Sequence, residues 1–382
     1  MLNENDVTKS CRMIAYDSPT FQNEVMDALR TDRVFAITGL PDVLQTSMKD
    51  LFESGDDFFD HIHEFEKDLY PAKLETNNVR GLFLPETHPL LCNNGARFFT
   101  AMNKNGGINN ERMPLLHGKP VMSDASKVFN EQTNLITARI LEAIENELNL
   151  TPNGLQDAIL GDGAIGFTRF FPITQKRAAH MFEENVLAIK DDGVEQFNEH
   201  RDVNPLTMLA YRGDDTRGLM VQDRETKKQV PLKVDAKGQP YLVIFTGRLL
   251  KELTNGNISA LKHQVVTTPE DQHLEAQNDP HSWRFTLAKF TYLDKPEVVP
   301  AKTHDGADLA PPKKRKHDRQ YPVSQASFFL GHFATQAQVR DKANAKVFPL
   351  EVAKKYPTEV KYKELYEAQL GEDNFGAYQY SK

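Results

Sequence analysis

The 382-residue chain is predicted to be an α+β protein, with an antiparallel β-sandwich or jelly roll in its second half and helices packed outside it. Two observations lead there. Between Ser123 and Leu148, the residues Val128, Leu135, Ile136, Ile140, Leu141, Ile144 and Leu148 form an apolar stripe at helical spacing, as in a long helix backing a sheet. From Ala164 to Leu293, short apolar runs alternate with turn formers at intervals that suit antiparallel strands.

Earlier in the chain, Phe21, Val25, Met26 and Leu29 recur at helical spacing, and Arg33 to Gly39 then reads as a buried strand ended by a turn. Met48 to Leu69 is helix-like, with Leu51, Phe52, Phe58, Phe59, Ile62 and Phe65 as core positions. His61 and His63 lie there with no third ligand nearby in sequence, so they read as surface histidines. Residues 70–122 are dense in Pro, Gly and Asn and predict an irregular surface crossing, with Arg80 to Phe83 as a short ordered piece. Ser123 or Asp124 is the expected N-cap of the long helix, which Thr151-Pro152-Asn153-Gly154 stops. A first strand, Ala164 to Pro172, is followed by an apparent loop to about Asn198. Strands are then expected over Leu206 to Tyr211, Gly218 to Gln222, Val230 to Val234, Tyr241 to Thr246, Ile258 to Thr267 and Trp283 to Leu293. Gly247 to Leu253 reads as a helical turn, and the tail shows helix-like stretches near Phe333 to Ala345 and Glu359 to Leu370.

Composition narrows the class. No apolar run approaches the roughly 20 residues of a membrane-spanning helix. Met1 to Asp6 lacks a basic region followed by an apolar core, so a cytoplasmic, reducing compartment is expected. Cys11 and Cys92 are too few for a disulfide framework or thiolate cluster. A net charge of −8 argues against a nucleic-acid-coating protein. The local exception, Lys313-Lys314-Arg315-Lys316, reads as a solvated loop or as a nuclear-import signal. A monomer is the default expectation.

Three groups in the β-rich half carry the chemistry: His200-Arg201-Asp202, then His263, then Arg284-Phe285-Thr286. One residue separates His200 from Asp202, so on a strand both side chains point to one face, and antiparallel pairing can bring His263 across. Two imidazoles and one carboxylate leave metal positions open, as a closed structural site would not. An arginine two residues before a hydroxyl, Arg284 and Thr286, completes the set. Together these are the ingredients of a mononuclear Fe(II) site that also holds a keto acid and O2. The His-x-Asp triplet alone is weak; the ordered set is far more specific.

The chain resembles the Fe(II)/2-oxoglutarate-dependent dioxygenases, in particular the isopenicillin N synthase-like branch with anthocyanidin synthase and the ethylene-forming enzyme. Beyond the ligands, the resemblance is carried by Leu206-Thr207-Met208-Leu209, by Arg217 to Val221, by Leu249 to Gly256 with Ser259, and by the opening strand Val34 to Leu40. It implies a double-stranded β-helix (jelly roll) core with flanking helices. The expected layout is an N-terminal α/β cap with backing helices over 1–160, a jelly-roll catalytic core over 161–294, and a linker with a helical tail packing on the core over 295–382. The resemblance implies iron on His200, Asp202 and His263, with the distal carboxylate of 2-oxoglutarate on Arg284 and Thr286. Arg169 resembles an arginine of the ethylene-forming enzyme, which makes it a further cosubstrate contact or a structural ion pair. The implied reaction is oxidation of an unactivated C–H bond in a small molecule, using O2 and releasing succinate and CO2.

Three departures stand out. The tyrosine the family carries in an Asn-Tyr-Tyr-Pro segment is missing, since this chain has Arg169-Phe170-Phe171-Pro172. The gap between His263 and Arg284 is long and suggests an inserted loop around Glu270 to His281; Arg248 replaces an acidic residue. Lys176, Arg177 and His180 favour an anionic or amino-acid-derived substrate if they face the metal, and are solvated otherwise. Tyr211, Gln222 and Phe290 are further candidates for the barrel interior. Hydroxylation is the leading outcome, with cyclisation or desaturation in specialised metabolism, or a non-catalytic jelly-roll binding protein, as alternatives. Asp202 argues against a halide-binding variant, in which Gly or Ala would stand there.

Overall fold

The computed structural model describes residues 8–60, 73–75, 78–83, 95–102, 115–116, 119–120, 122–160, 163–170, 188–190, 193–212, 216–269, 271, 284–293, 297–312 and 323–324. The first elements are β1 (Lys9–Ser10), β2 (Met13–Ala15), α1 (Phe21–Thr31), β3 (Val34–Thr38) and α2 (Asp42–Asp60). Strands β4 (Lys73–Glu75), β5 (Asn78–Phe83), β6 (Gly95–Met102), β7 (Leu115–Leu116) and β8 (Lys119–Pro120) precede α3 (Ser123–Glu147) and α4 (Gly154–Ile159). The second half brings β9 (Gly163–Phe170), β10 (Ala188–Lys190), β11 (Gly193–His200), β12 (Leu206–Tyr211), β13 (Leu219–Gln222), β14 (Gln229–Lys233) and β15 (Leu242–Thr246). It ends with α5 (Arg248–Leu253), β16 (His263–Thr267), β17 (Phe285–Thr291), β18 (Glu297–Val298) and β19 (Val323–Ser324).

The strands form a large sheet, β2-β3-β15-β12-β17-β9-β6-β5-β4, and a smaller one, β1-β14-β13-β16-β11-β10. Both are mostly antiparallel, and they make the jelly roll the sequence predicts. Alternation along each strand divides the core in two. On one face of the large sheet, Leu206, Met208 and Ala210 of β12, Phe285 and Leu287 of β17, and Ile165 and Phe167 of β9 pack with the apolar sides of α1, α2 and α3. The opposite face, with Tyr211, Val243 and Phe245, packs on Leu219, Val221, Val230 and Leu232 of the smaller sheet. A strand buried on both sides, such as β15, therefore reads as a nearly continuous apolar run.

Two regions differ from the sequence expectation. The supposed irregular crossing contains β5 and β6, and β6 pairs with β9 along its whole length, from Gly95↔Phe170 to Met102↔Gly163. The N-terminal segment thus extends the core sheet at one edge with β4 to β6, while β2 and β3 extend it at the other. The apparent loop before Asn198 contains β11, whose Glu195, Gln196 and Asn198 are buried polar residues; Gln196 Nε2 donates to Thr267 Oγ1 at 2.7 Å. A strand that buries polar residues carries no apolar alternation to detect. The cap of α3 also differs: Met122, at φ 68°, occupies the position with no side-chain cap bond. His61, His63, Cys92, the 176–180 cations, Phe171, most of the loop near 270–281, the basic run at 313–316 and the tail helices lie outside the described residues. No helix among the described residues is long and apolar enough to cross a membrane.

Candidate metal centre

His200 is the last residue of β11 and His263 the first of β16, and the two are paired across the smaller sheet. Their rings lie 4.3 Å apart between centroids. Asp202 follows the end of β11, so strand alternation is not what sets its direction, contrary to the expectation from spacing. The turn does this instead. Arg248 N donates to Asp202 O at 2.8 Å, Leu249 N to Val203 O at 2.9 Å, and Gly247 N to Pro205 O at 2.8 Å. Gly247 is required for this approach, since a β-carbon there would lie 2.9 Å from Asn204 C and 3.1 Å from Asp202 O. Asp202 Oδ1 then sits 3.3 Å from His200 Nε2 and 3.8 Å from His263 Nε2. One ligand atom from each of the three residues lies within 4.8 Å of the others, close enough to bind a single ion.

The neighbours prepare these donors. His200 Nδ1 donates to the Asn198 carbonyl at 2.6 Å, which leaves Nε2 with its lone pair. Thr207 Oγ1 donates to Asp202 Oδ2 at 2.5 Å, pinning one carboxylate oxygen and leaving Oδ1 towards the histidines. Burial opposes the charge of Asp202, but His263, His200 and the Thr207 hydroxyl outweigh it and hold the carboxyl well below the usual carboxylate range. Burial, reinforced by His200, pushes His263 down to about 4, so it is a neutral ligand at neutral pH. Two imidazoles and one carboxylate suit a divalent borderline metal such as Fe(II), and with the metal bound leave net positive charge to attract an anionic chelator.

The three ligands open onto a cavity between the two sheets, about 540 Å³ of empty space with its mouth included. Thr168 and Phe170 of β9, Thr207 and Tyr211 of β12, and Phe290 of β17 line it. Arg284 and Thr286 are at the wall as well, on the same side of the strand and both nearly buried. Gly218, at φ +76°, packs directly against the guanidinium; a β-carbon on it would collide with Arg284 Nη1 and lie 2.6 Å from Val266 O. Among the described residues, buried Nε and Nη1 of Arg284 have no hydrogen-bond partner. Such a cation fits the distal carboxylate of a keto acid bound at the metal.

The fold therefore brings His200, Asp202, His263, Arg284 and Thr286 to one cavity and leaves Arg169 outside it. Arg169 is one position from both Thr168 and Phe170 on β9, so it projects to the opposite, helix-covered face, where its Nη1 lies 3.5 Å from the Asp56 carbonyl of α2. Tyr211 and Phe290 line the cavity, whereas Gln222 does not, its Nε2 donating to Lys227 O at the exposed β13–β14 turn. Sequence reasoning missed the roles of Asn198, Thr207 and Gly218. Only Gly218 had a readable signal, a glycine at the entry to a strand; the other two act through contacts that no spacing encodes.

Comparison with solved structures finds the same fold. The chain is similar to the rice dioxygenase for auxin oxidation, at 16% identity and TM-score 0.57, covering 85% of this chain and 95% of that one. The fold is that of the Fe(II)/2-oxoglutarate oxygenases. It is matched also by a full-length Neurospora crassa protein solved in complex with α-ketoglutarate and thymine, at 14% identity and TM-score 0.61, covering 87% of this chain and 98% of that one. A third match is the 2-oxoglutarate binary complex of the Arabidopsis thaliana dioxygenase for auxin oxidation 1, at 14% identity and TM-score 0.51, covering 81% and 100%. No family model and no curated protein matches the chain.

Proposed function

We propose that this protein is an Fe(II)- and 2-oxoglutarate-dependent oxygenase that oxidises a C–H bond of a small molecule, with hydroxylation the leading outcome. One observation carries the reading: a cavity with three side chains able to hold a metal at one wall and, at another, a buried arginine whose Nε and Nη1 have no hydrogen-bond partner among the described residues. His200, Asp202 and His263 would hold the iron, and Arg284 with Thr286 the distal carboxylate of 2-oxoglutarate. When bound, iron supplies the O2 chemistry that couples decarboxylation of the keto acid to oxidation of the substrate.

The chain's own residues do the rest. Thr207 and the Asn198 carbonyl orient the ligands. Arg284 fixes the keto acid's far end, which sets the direction from which its other end reaches the metal. Phe197 lies beside His200, 5.8 Å between centroids, and meets Phe170 edge to face at 6.1 Å; these rings exclude water near the ligands. Their apolar surface suits a flat, weakly polar substrate, in keeping with the thymine of the Neurospora crassa complex. The narrower placement in the isopenicillin N synthase-like branch rests on the sequence motifs alone.

The test is succinate formation from 2-oxoglutarate with Fe(II) under air, comparing the wild type with His200→Ala. Loss of succinate in the variant is expected. Equal release by both proteins would overturn the assignment.

A further inference from the structure

In chain order the two large sheets end with β17, and among the described residues β18 pairs with β19 and joins neither of them. Residues 297–310 nevertheless make a strap that is tied down at two places. One is the corner between α3 and α4, where Thr151 N donates to Lys302 O at 2.9 Å, Thr151 Oγ1 to Thr303 O at 3.1 Å and His304 N to Asn149 O at 2.9 Å. The other is α5 with the turn that follows it. Ala301 N donates to Leu253 O at 2.8 Å, filling a carbonyl that a helix end leaves open. Asn255 Nδ2 donates to Leu309 O at 2.6 Å, and Asn257 Nδ2 to Ala310 O at 2.9 Å. Val298 and Leu309 are buried in the same core as Leu249, Leu250 and Leu253 of α5.

The segment held in this way meets the metal centre at both of its ends. Where it begins, Arg248 N holds the Asp202 carbonyl and Leu249 N that of Val203. Where it ends, Leu261 N donates to Thr246 O at 2.9 Å, and His263 is two residues further on. The turn between is stiffened by Asn257 Nδ2 on Thr254 O at 3.0 Å and by Ile258 N on Thr254 Oγ1 at 3.1 Å. A clamp on the middle of a rigid segment fixes its two ends relative to each other.

We propose that the 297–310 strap is a brace of the metal centre, with Asn255 and Asn257 as positioning residues that act through α5 and its turn on Asp202 and His263. The inference rests on the reading of His200, Asp202 and His263 as metal ligands and adds a part of the chain outside the barrel. Coupling of this kind is reciprocal, so a bound metal tightens the strap as much as the strap tightens the metal.

The test uses Zn(II), whose affinity is measured by competition with a chelating dye. In Asn255→Asp/Asn257→Asp both side chains keep their size, and aspartate tolerates the left-handed backbone of Asn255, at φ 47°, but carboxylate oxygens replace the donors facing Leu309 O and Ala310 O. The folded variant should bind Zn(II) about tenfold more weakly, the scale of lost partners outside the ligand shell, and the visible bands of its Co(II) form, which report ligand geometry, should shift. In the wild type, Zn(II) should slow amide hydrogen exchange over 247–258 and 297–310 more than over α1. The proposal is overturned if the folded variant keeps Zn(II) affinity within about twofold of wild type, or if Zn(II) protects 297–310 no more than α1. The exchange comparison needs no variant, so it decides the question even if the double substitution does not fold. Wild-type affinity no higher than that of His200→Ala would instead mean that the metal reading itself fails.

Discussion

Thr207→Val tests the architecture of the metal centre without touching a ligand. The hydroxyl donates to Asp202 Oδ2 at 2.5 Å, and both residues are nearly buried, Thr207 at 1% and Asp202 at 9% exposure. Valine keeps the shape and removes the donor. A buried hydrogen bond to a charged acceptor contributes about 1.5–3 kcal/mol, and no water replaces it at so enclosed a position. Without it, Asp202 can rotate about its carboxyl bond, and Oδ1 is no longer held between the two histidines. Loss of such an outer partner lowers metal affinity about 10- to 100-fold, which matches the hydrogen-bond figure at about 1.4 kcal/mol per tenfold. The assay is anaerobic competition between the protein and a chelating dye for Fe(II), with Thr207→Ser as the control that retains the hydroxyl. A folded Thr207→Val protein whose iron affinity stays within about twofold of wild type would refute the reasoning, because the pin would then be doing nothing for the ligand.

Three further outcomes follow from the structure. Arg284→Ala should raise the 2-oxoglutarate concentration needed for half-maximal succinate formation by about 30-fold or more, the scale of an unpaired buried charge partner, while Fe(II) affinity stays intact; an unchanged requirement would mean that another cation holds the carboxylate. Gly218→Ala places a methyl group where the Arg284 guanidinium lies, at a φ of +76° that costs a non-glycine residue about 1–2 kcal/mol. It should weaken 2-oxoglutarate binding and lower thermal stability with little change in metal affinity, and normal keto acid binding would count against the close approach. Lys289, buried between β17 and α3 with Nζ donating to Asn130 O at 3.2 Å and to Asn134 Oδ1, is pushed down by burial to about 7. Between about pH 7 and 10.5 the unfolded chain binds more protons than the folded one, so stability rises with pH across that window by at most about 5 kcal/mol. Urea unfolding at pH 7 and 9.5 should show that rise in the wild type and a flatter profile in Lys289→Met; parallel profiles would place the pH dependence elsewhere.

Fold class, the long backing helix and the residues that meet in the candidate metal centre were all legible in the amino-acid order. They live in local patterns: a helical stripe in α3, apolar runs in strands such as β15 that are buried on both faces, and a short ordered motif whose chemistry is specific. Contacts across the folded chain settled other features. Arg169 lies on the helix-covered side of β9 and Thr168, its neighbour, in the cavity, because adjacent strand positions face opposite ways and only the sheet's two coverings say which side is which. The strand β11 carries no alternating signal because it buries polar residues such as Gln196, whose Nε2 bonds Thr267 from a distant segment, rather than an apolar pattern of its own. Asp202 is set through Gly247 and Thr207 rather than through alternation from His200, and Gly218 comes against Arg284 from the facing sheet. Each of these is a contact between segments that local spacing does not relate, and periodicity records how a residue is buried, not what it is buried against.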